Sequence, residues 1–371
     1  MKDFEQLIEK AVADGVVLGA VVCAKGKVNY GKVFGSRAVA PKVEPMEPDT
    51  IFVLASMTKL MTSIAVLQLV ERGIVKLDDD VAPLAADAGK TANIGRVGGS
   101  YEFSNADISQ WKKTQGTLGK PGTTVDEAFG HPLLYEPGES WSYGSASDWA
   151  GKVVEKLSGL SLEEYMKRNI WTPLGLKNTT FWPAASPDMA NRVSSMSIRD
   201  TRSGKAVQSR KPIPMTPGAR EAFGGQGAYA SMGDYTEILN SLLTDDERLL
   251  KRETTASMFR PQLSGGSKQA LDEAFSNPQW AVGYYPPGAY NWCLGGLLVE
   301  GRTEAPWRKP GTMLWGGAIN SAWFIDRVTG VCGVFGCNLL PAADPQIEVL
   351  MKGFEEEIYK KAAEERPKTH L

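Results

Sequence analysis

Strand patterns lie near both ends of this 371-residue chain, each next to a terminal helix, and that arrangement constrains the fold most. Gly19 to Cys23 and Val28 to Phe34 read as two strands joined at Lys25-Gly26, a hairpin signal. Ser321 to Asp326 and Val331 to Cys337 repeat the pattern around Thr329-Gly330. Residues 3–14 place Phe4, Leu7, Ile8 and Ala11 on one helical stripe. A final helix carries Ile347, Leu350, Phe354 and Ile358 at spacings of three or four. The long section between these ends is richer in helices and loops.

That middle section opens with an apolar helix after Ser56, whose buried face is Leu60, Met61, Ile64, Leu67 and Val70, and which Gly73 stops. Residues 148–158 and 161–170 read as further helices, and Ser161 with Glu164 forms a capping box. Residues 85–125, 196–220 and 262–290 read mostly as loop.

Composition narrows the function classes. Hydrophobic residues make up 42% and charged residues 23%, ordinary for a soluble globular protein, and length suggests two lobes or one large domain. A formal net charge of -2 gives no reason to expect nucleic acid or an anionic membrane as partner. No apolar run is long enough to span a bilayer, and the first residues lack the apolar core of a signal peptide. Cys23, Cys293, Cys332 and Cys337 lack metal-ligand spacing. We read them as reduced thiols of a cytoplasmic protein, with a mature secreted form as the alternative. With no ligand cluster and no dinucleotide loop, we expect no metal and no organic cofactor.

Histidine is nearly absent: only His131 and His370 occur, the latter in a charged tail. Ser56-Met57-Thr58-Lys59 offers a chemistry that needs none. A serine hydroxyl is a poor nucleophile until a neighbour takes its proton. Lys59, three residues on, shares its helical face. A free lysine is charged, with a pKa of about 10.4; burial and nearby positive charge lower it enough to accept a proton. The helix N-terminus also favours a developing oxyanion, with the Ser56 N–H as one donor. The alternative is that Ser56 caps the helix and Lys59 is solvated.

Three further segments bear on that choice. Tyr143, between small residues in Trp141-Ser142-Tyr143-Gly144-Ser145, could share a proton with a lysine; otherwise it is a packing tyrosine. Leu314-Trp315-Gly316-Gly317-Ala318 leads into a strand, and its glycines allow close approach of a backbone or ligand. The Ala318 N–H would complete an oxyanion hole with that of Ser56; the alternative is a bulge beside a core tryptophan. Phe223-Gly224-Gly225-Gln226-Gly227 lacks the ending of a phosphate loop and reads as a tight turn lining a cleft. His131, before Pro132, reads as structural. Trp292, Trp307, Tyr284 and Tyr285 suggest an apolar or aromatic substrate, or are core.

In this order, Ser56-x-x-Lys59, Tyr143-Gly144-Ser145 and Trp315-Gly316-Gly317 resemble the serine β-lactamase/penicillin-binding-protein superfamily, in its class C-like esterase branch. The stretches Leu54 to Leu60, Glu136 to Glu139, Asp148 to Gly151, Phe223 to Gly227, Leu294 to Leu297 and Trp323 to Asp326 extend the likeness from residue 16 to about 360. It is strongest to fungal transesterases and esterases of secondary metabolism, of the kind that attach or remove statin side chains.

The resemblance implies an α/β (α+β) fold with an antiparallel sheet, flanking terminal helices and an inserted, mainly helical lobe. Residues 1–60 and 215–371 would form the α/β lobe and 61–214 the helical one, with the active site between them. It implies Ser56 as acylated nucleophile, Lys59 and Tyr143 as the base system, and Ser56 and Ala318 as the oxyanion hole. Trp315, Gly316, Gly317, Gly225, Gln226 and Ser145 would meet substrate. The partners would be an ester or thioester donor, an acyl carrier domain being one source, and a small-molecule alcohol.

Departures from the family pattern also carry information. The leucine-rich helix and His-Thr/Ser-Ser-Gly turn of relatives correspond to residues 93–103, which hold neither leucine nor histidine. Ser145 stands where many lactamases have asparagine. No lysine precedes Gly316-Gly317, which argues against β-lactamase activity. Acyl transfer to an alcohol is the leading reading and ester hydrolysis the second. A binding protein, or a non-covalent cyclase or isomerase on this fold, would follow from the altered segment.

Overall fold

The computed structural model describes residues 1–81, 106–132, 134–135, 138–210, 215–276 and 288–365. The 93–103 segment, Glu136, Pro137, Tyr284, Tyr285 and His370 lie outside the described residues.

An antiparallel eight-stranded sheet joins the chain ends. Its strands are β1 (Gly19–Gly26), β2 (Tyr30–Ala38), β3 (Glu44–Pro45), β4 (Tyr290–Trp292), β5 (Leu297–Val299), β6 (Met313–Gly317), β7 (Ser321–Asp326) and β8 (Val331–Gly336). Their spatial order is β3-β2-β1-β8-β7-β6-β5-β4. The two hairpins meet where β1 pairs with β8, with Cys23 opposite Val334 and Lys25 opposite Cys332. Their turns also touch. Gly26 has φ +101°, and a Cβ there would lie 2.3 Å from the Gly330 carbonyl oxygen, so only glycine fits.

The terminal helices α1 (Lys2–Ala13) and α6 (Pro345–Glu364) cover one face of the sheet. Phe4, Ile8 and Ala11 are buried as the stripe requires, whereas Leu7 sits at its margin, 37% exposed. In α6, Ile347, Leu350, Phe354 and Ile358 all face inward. Phe354 packs between helix and sheet, with ring centres 5.6 Å from Phe4 and 6.5 Å from both Phe324 and Phe335.

Helix α2 (Thr58–Glu71), α3 (Ala146–Ser158) and α4 (Met232–Thr244) build the second core. Buried residues occupy nearly every position of α2 from Thr58 to Leu69, as in a helix enclosed on all sides. Helix α3 packs against α2, and α4 packs against β1 and β8. The Ser161–Glu164 capping box is present, ahead of a short helix (Leu162–Met166) that continues through a wider turn at Lys167–Trp171.

Three stretches read as loop contain structure. A helix spans Ala106–Thr114, and α5 spans Gly265–Phe275. The start of α5 at Gly265-Gly266 hides it, but Leu271 and Phe275, four apart, are its buried anchors. Ser197–Arg199 pairs with Ala206–Gln208 in strands too short to show alternation. No helix among the described residues is long and apolar enough to cross a membrane.

Phe354→Ala should destabilise the protein by about 3–5 kcal/mol, the range for truncating a buried phenylalanine, as read from chemical denaturation. A loss below about 1 kcal/mol would mean that α6 is not anchored at this residue.

Candidate active site

The site begins with a short strand, Ile51–Val53, paired with Tyr229–Ser231. Its β-branched and aromatic residues suit a buried edge. The chain then reverses sharply: Ala55 has φ +46°, a conformation that non-glycine residues rarely hold. A single 3₁₀ turn, Ala55–Met57, leads into α2. Ser56 is half-buried in this turn, and no side chain caps the first turn of α2, so the capping alternative for Ser56 does not describe the structure.

Lys59 is not solvated either. It is 7% exposed, and its Nζ donates to the Gly225 carbonyl at 2.8 Å. The same nitrogen also lies 4.8 Å from the centre of the Tyr143 ring. Ser56 and Lys59 come from the head of α2, and Tyr143 comes from the segment entering α3. Here α3 starts at Ala146, two residues before the expected start.

On its other side Tyr143 meets the sheet. The Trp315 indole N–H donates to the Tyr143 Oη at 3.1 Å, and the rings are 5.2 Å apart. Trp292 stands edge-on to Trp315 at 4.7 Å and 6.1 Å from Tyr143, and Trp141 continues the row at 5.5 Å from Trp292. Trp141, Tyr143 and Trp292 of this row line a cavity of about 680 Å³ together with Lys59, Cys293 and Leu294, whereas Trp315 and Ser56 are not in its lining.

The two glycines after Trp315 serve backbone contact. A Cβ on Gly317 would lie 2.6 Å from the Leu54 carbonyl oxygen, and one on Gly316 would lie 2.5 Å from that of Ser321. The end of β6 therefore abuts the turn that carries Ser56, and exposed Ala318 follows directly. Gly225 sits one step behind the cavity. It does not line it, but its carbonyl holds Lys59. Gln226 is half-buried in the same turn and is likewise outside the lining. Ser145 was expected to face substrate, but it is fully buried, and its Oγ has no hydrogen-bond partner among the described residues. It is the N-cap residue of α3, between Gly144 and Ala146, which both line the cavity.

Two residue types can be set aside. Cys293 lines the cavity, but burial pushes its thiol up to about 12 and its Sγ is bonded to the Gly296 carbonyl, so it is a protonated thiol at neutral pH. His131 is buried against Pro132 and outside the cavity lining. Among the described residues, no three His, Cys, Asp or Glu side chains converge as a metal site.

Sequence reasoning missed the groups that fix this geometry. Thr62 Oγ1 donates to the Gly224 carbonyl at 2.7 Å, and fully buried Asp148 accepts the Gly225 N–H at 2.8 Å. The available signal was the Gly224-Gly225 pair, which demands close neighbours on both sides.

Comparison with known proteins fits this arrangement. The family model described as Beta-lactamase matches residues 4–351. Lovastatin esterase of Penicillium rubens is 32% identical over 95% of this chain and 97% of its own length. Monacolin J acid methylbutanoyltransferase of Aspergillus terreus is 31% identical over 96% of this chain and 94% of its own. A mutant of simvastatin synthase from Aspergillus terreus superposes with a TM-score of 0.89 at 32% identity, covering 98% of this chain and 97% of the other. EstCE1, a hydrolase with promiscuous acyltransferase activity, shares the fold with a TM-score of 0.78 at 21% identity, covering 96% and 97%. The family match runs from residue 4 to residue 351 and the relatives align over nearly their whole lengths, so the chain belongs to the beta-lactamase family.

Proposed function

We propose that this chain transfers an acyl group from an ester or thioester to a small-molecule alcohol, through a covalent acyl-Ser56 intermediate. The observation that carries the reading is the buried Lys59, held by the Gly225 carbonyl against the Tyr143 ring one helical turn from Ser56. A lysine so enclosed on the nucleophile's own helix face is a proton-handling group rather than a surface charge.

The steps balance as follows. Ser56 Oγ attacks the donor carbonyl carbon while its proton passes to the Lys59–Tyr143 pair. The oxyanion rests on the Ser56 and Ala318 N–H groups. The C–S or C–O bond breaks, and the leaving thiol or alcohol takes the proton from the pair. An acceptor alcohol then gives its proton to the pair and attacks the acyl-Ser56 carbonyl; the bond between the acyl carbon and Ser56 Oγ breaks, the new ester leaves, and the pair returns the proton to Ser56 Oγ. Water in place of the alcohol gives hydrolysis by the same steps, and one relative is named an esterase.

Several finer assignments belong to the same proposal. Residues 1–60 and 215–371 form one lobe and 61–214 the other, with Ser56 and Lys59, Tyr143 and Trp315 converging at their seam. The aromatic wall of Trp141, Tyr143 and Trp292 suits an apolar acyl or alcohol skeleton. Four cysteines without disulfides suit a reducing cytoplasm. The donor is a small-molecule ester or thioester, or a thioester carried on an acyl carrier domain.

Intact-protein mass spectrometry with a panel of acyl thioesters tests the core of the proposal. Wild type should gain the mass of the acyl group and Ser56→Ala should not; an adduct on the mutant would remove Ser56 as nucleophile. Lys59→Ala and Tyr143→Phe should each slow acylation on the order of 10²-fold or more. Trp315→Phe, which keeps an aromatic wall but deletes the N–H donor, should slow it about 10-fold; an unchanged rate would reduce Trp315 to a wall. Supplying an alcohol to the acylated enzyme and measuring ester against free acid decides between transfer and hydrolysis.

A further inference from the structure

Asp148 is a fully buried carboxylate that no step above uses. We propose that it is a positioning residue for Lys59, acting through the backbone of Gly225. The proposal rests on the reading of Lys59 as part of the base system.

Asp148 lies in the first turn of α3. Removing a carboxylate from water is costly unless it is well satisfied, so its partners indicate why it is kept. Oδ1 accepts the Gly225 N–H at 2.8 Å. Oδ2 lies so near the same residue that a Cβ on Gly225 would sit 2.4 Å away. The carboxylate thus lies flat against the Gly225 backbone, and no side chain could come between them.

The same residue's carbonyl accepts Lys59 Nζ at 2.8 Å. The two bonds are separated by a single residue's backbone, one made from α3 and the other from α2. Gly224 tightens the wedge: its carbonyl accepts Thr62 of α2, and its Cα faces the Ser147 carbonyl of α3, where a Cβ would come within 2.6 Å. The α3 side therefore sets where the Gly225 carbonyl points, and that carbonyl sets where the lysine nitrogen points. A lysine on a flexible four-carbon stem needs such a fixed acceptor to hold a proton-transfer geometry, since misplacement by about 1 Å can cost 10²-fold in rate.

A carboxylate in the first turn of a helix also complements the helix dipole. That role alone predicts lower stability, with no separation of rate from binding. Positioning predicts such a separation.

The test compares Asp148→Ala, Asp148→Asn, Gly225→Ala and Lys59→Ala, each checked for folding by thermal melting, for acylation by a short acyl thioester. Asp148→Ala should lower the maximal acylation rate on the order of 10²-fold, with the half-saturating donor concentration within about 2-fold of wild type. Asp148→Asn keeps an acceptor for the Gly225 N–H and should recover to within about 5-fold of wild type. Gly225→Ala keeps the Asp148 carboxylate but forces it and the Gly225 backbone apart, and should reproduce the rate loss; it decides the matter if Asp148→Ala does not fold. A folded Asp148→Ala at wild-type rate, with Lys59→Ala inactive, overturns the inference and leaves the role of Lys59 standing. Asp148→Asn as slow as Asp148→Ala overturns positioning through this hydrogen bond, and a loss confined to donor binding overturns it too. A fully active Lys59→Ala removes the underlying reading and the inference with it.

Discussion

The hydrogen-bonded seam between residues 54–62 and the turn at 223–228 is the constraint on which the site depends. Leu54 N–H reaches the Ala228 carbonyl at 2.8 Å, and the Ala228 N–H reaches Thr58 Oγ1 at 3.2 Å. Lys59 and Thr62 donate to the next carbonyls back along the turn, Gly225 and Gly224. Each buried donor finds an acceptor, which avoids the penalty of an unpaired polar group in a closed interior. Because the turn is also clamped by α3 at Asp148 and Ser147, three segments distant in sequence are held to one another's positions.

The seam also explains how the strained turn before Ser56 persists. A non-glycine residue at positive φ costs on the order of 1–3 kcal/mol and survives only where its surroundings over-determine it. Around Ala55 they do. The Leu54 backbone is bonded on one side, Tyr235 Oη donates to the Met57 carbonyl on the other, and Gly317 presses against the Leu54 carbonyl from β6. Gly317 is therefore needed by the turn itself and Gly316 by the neighbouring strand, whatever substrate the site accepts.

Much of this was legible in the sequence where the signal is local. The two hairpins, the stripe of Phe4, Ile8 and Ala11, the spacing of Ile347 to Ile358 and the Ser161–Glu164 box each follow from short-range periodicity or capping. The apolar helix following Ser56 was legible from its run of Leu60, Met61, Ile64 and Leu67. The role of Gly225 was not, because its partners Lys59 and Asp148 lie 166 and 77 residues away, and a glycine-rich turn does not name what it touches. Ser145 misled for the same reason. Its neighbours Tyr143, Gly144 and Ala146 line the cavity while Ser145 itself is buried, and a linear motif does not record which way each side chain points.

The exchange of a lysine for Trp315 changes the physics of the wall more than its shape. A lysine brings a point charge that pairs with an anionic substrate group; an indole brings one uncharged N–H donor and a large apolar face. Here that donor is directed at Tyr143 Oη. An indole N–H only donates, so Tyr143 Oη is an acceptor on the Trp315 side and its own proton must point elsewhere. The rest of the indole packs behind Trp292, which with Trp141 gives the cavity an apolar surface. Under the acyl transfer proposed above, an acceptor alcohol with an apolar skeleton would gain from that surface and water would not.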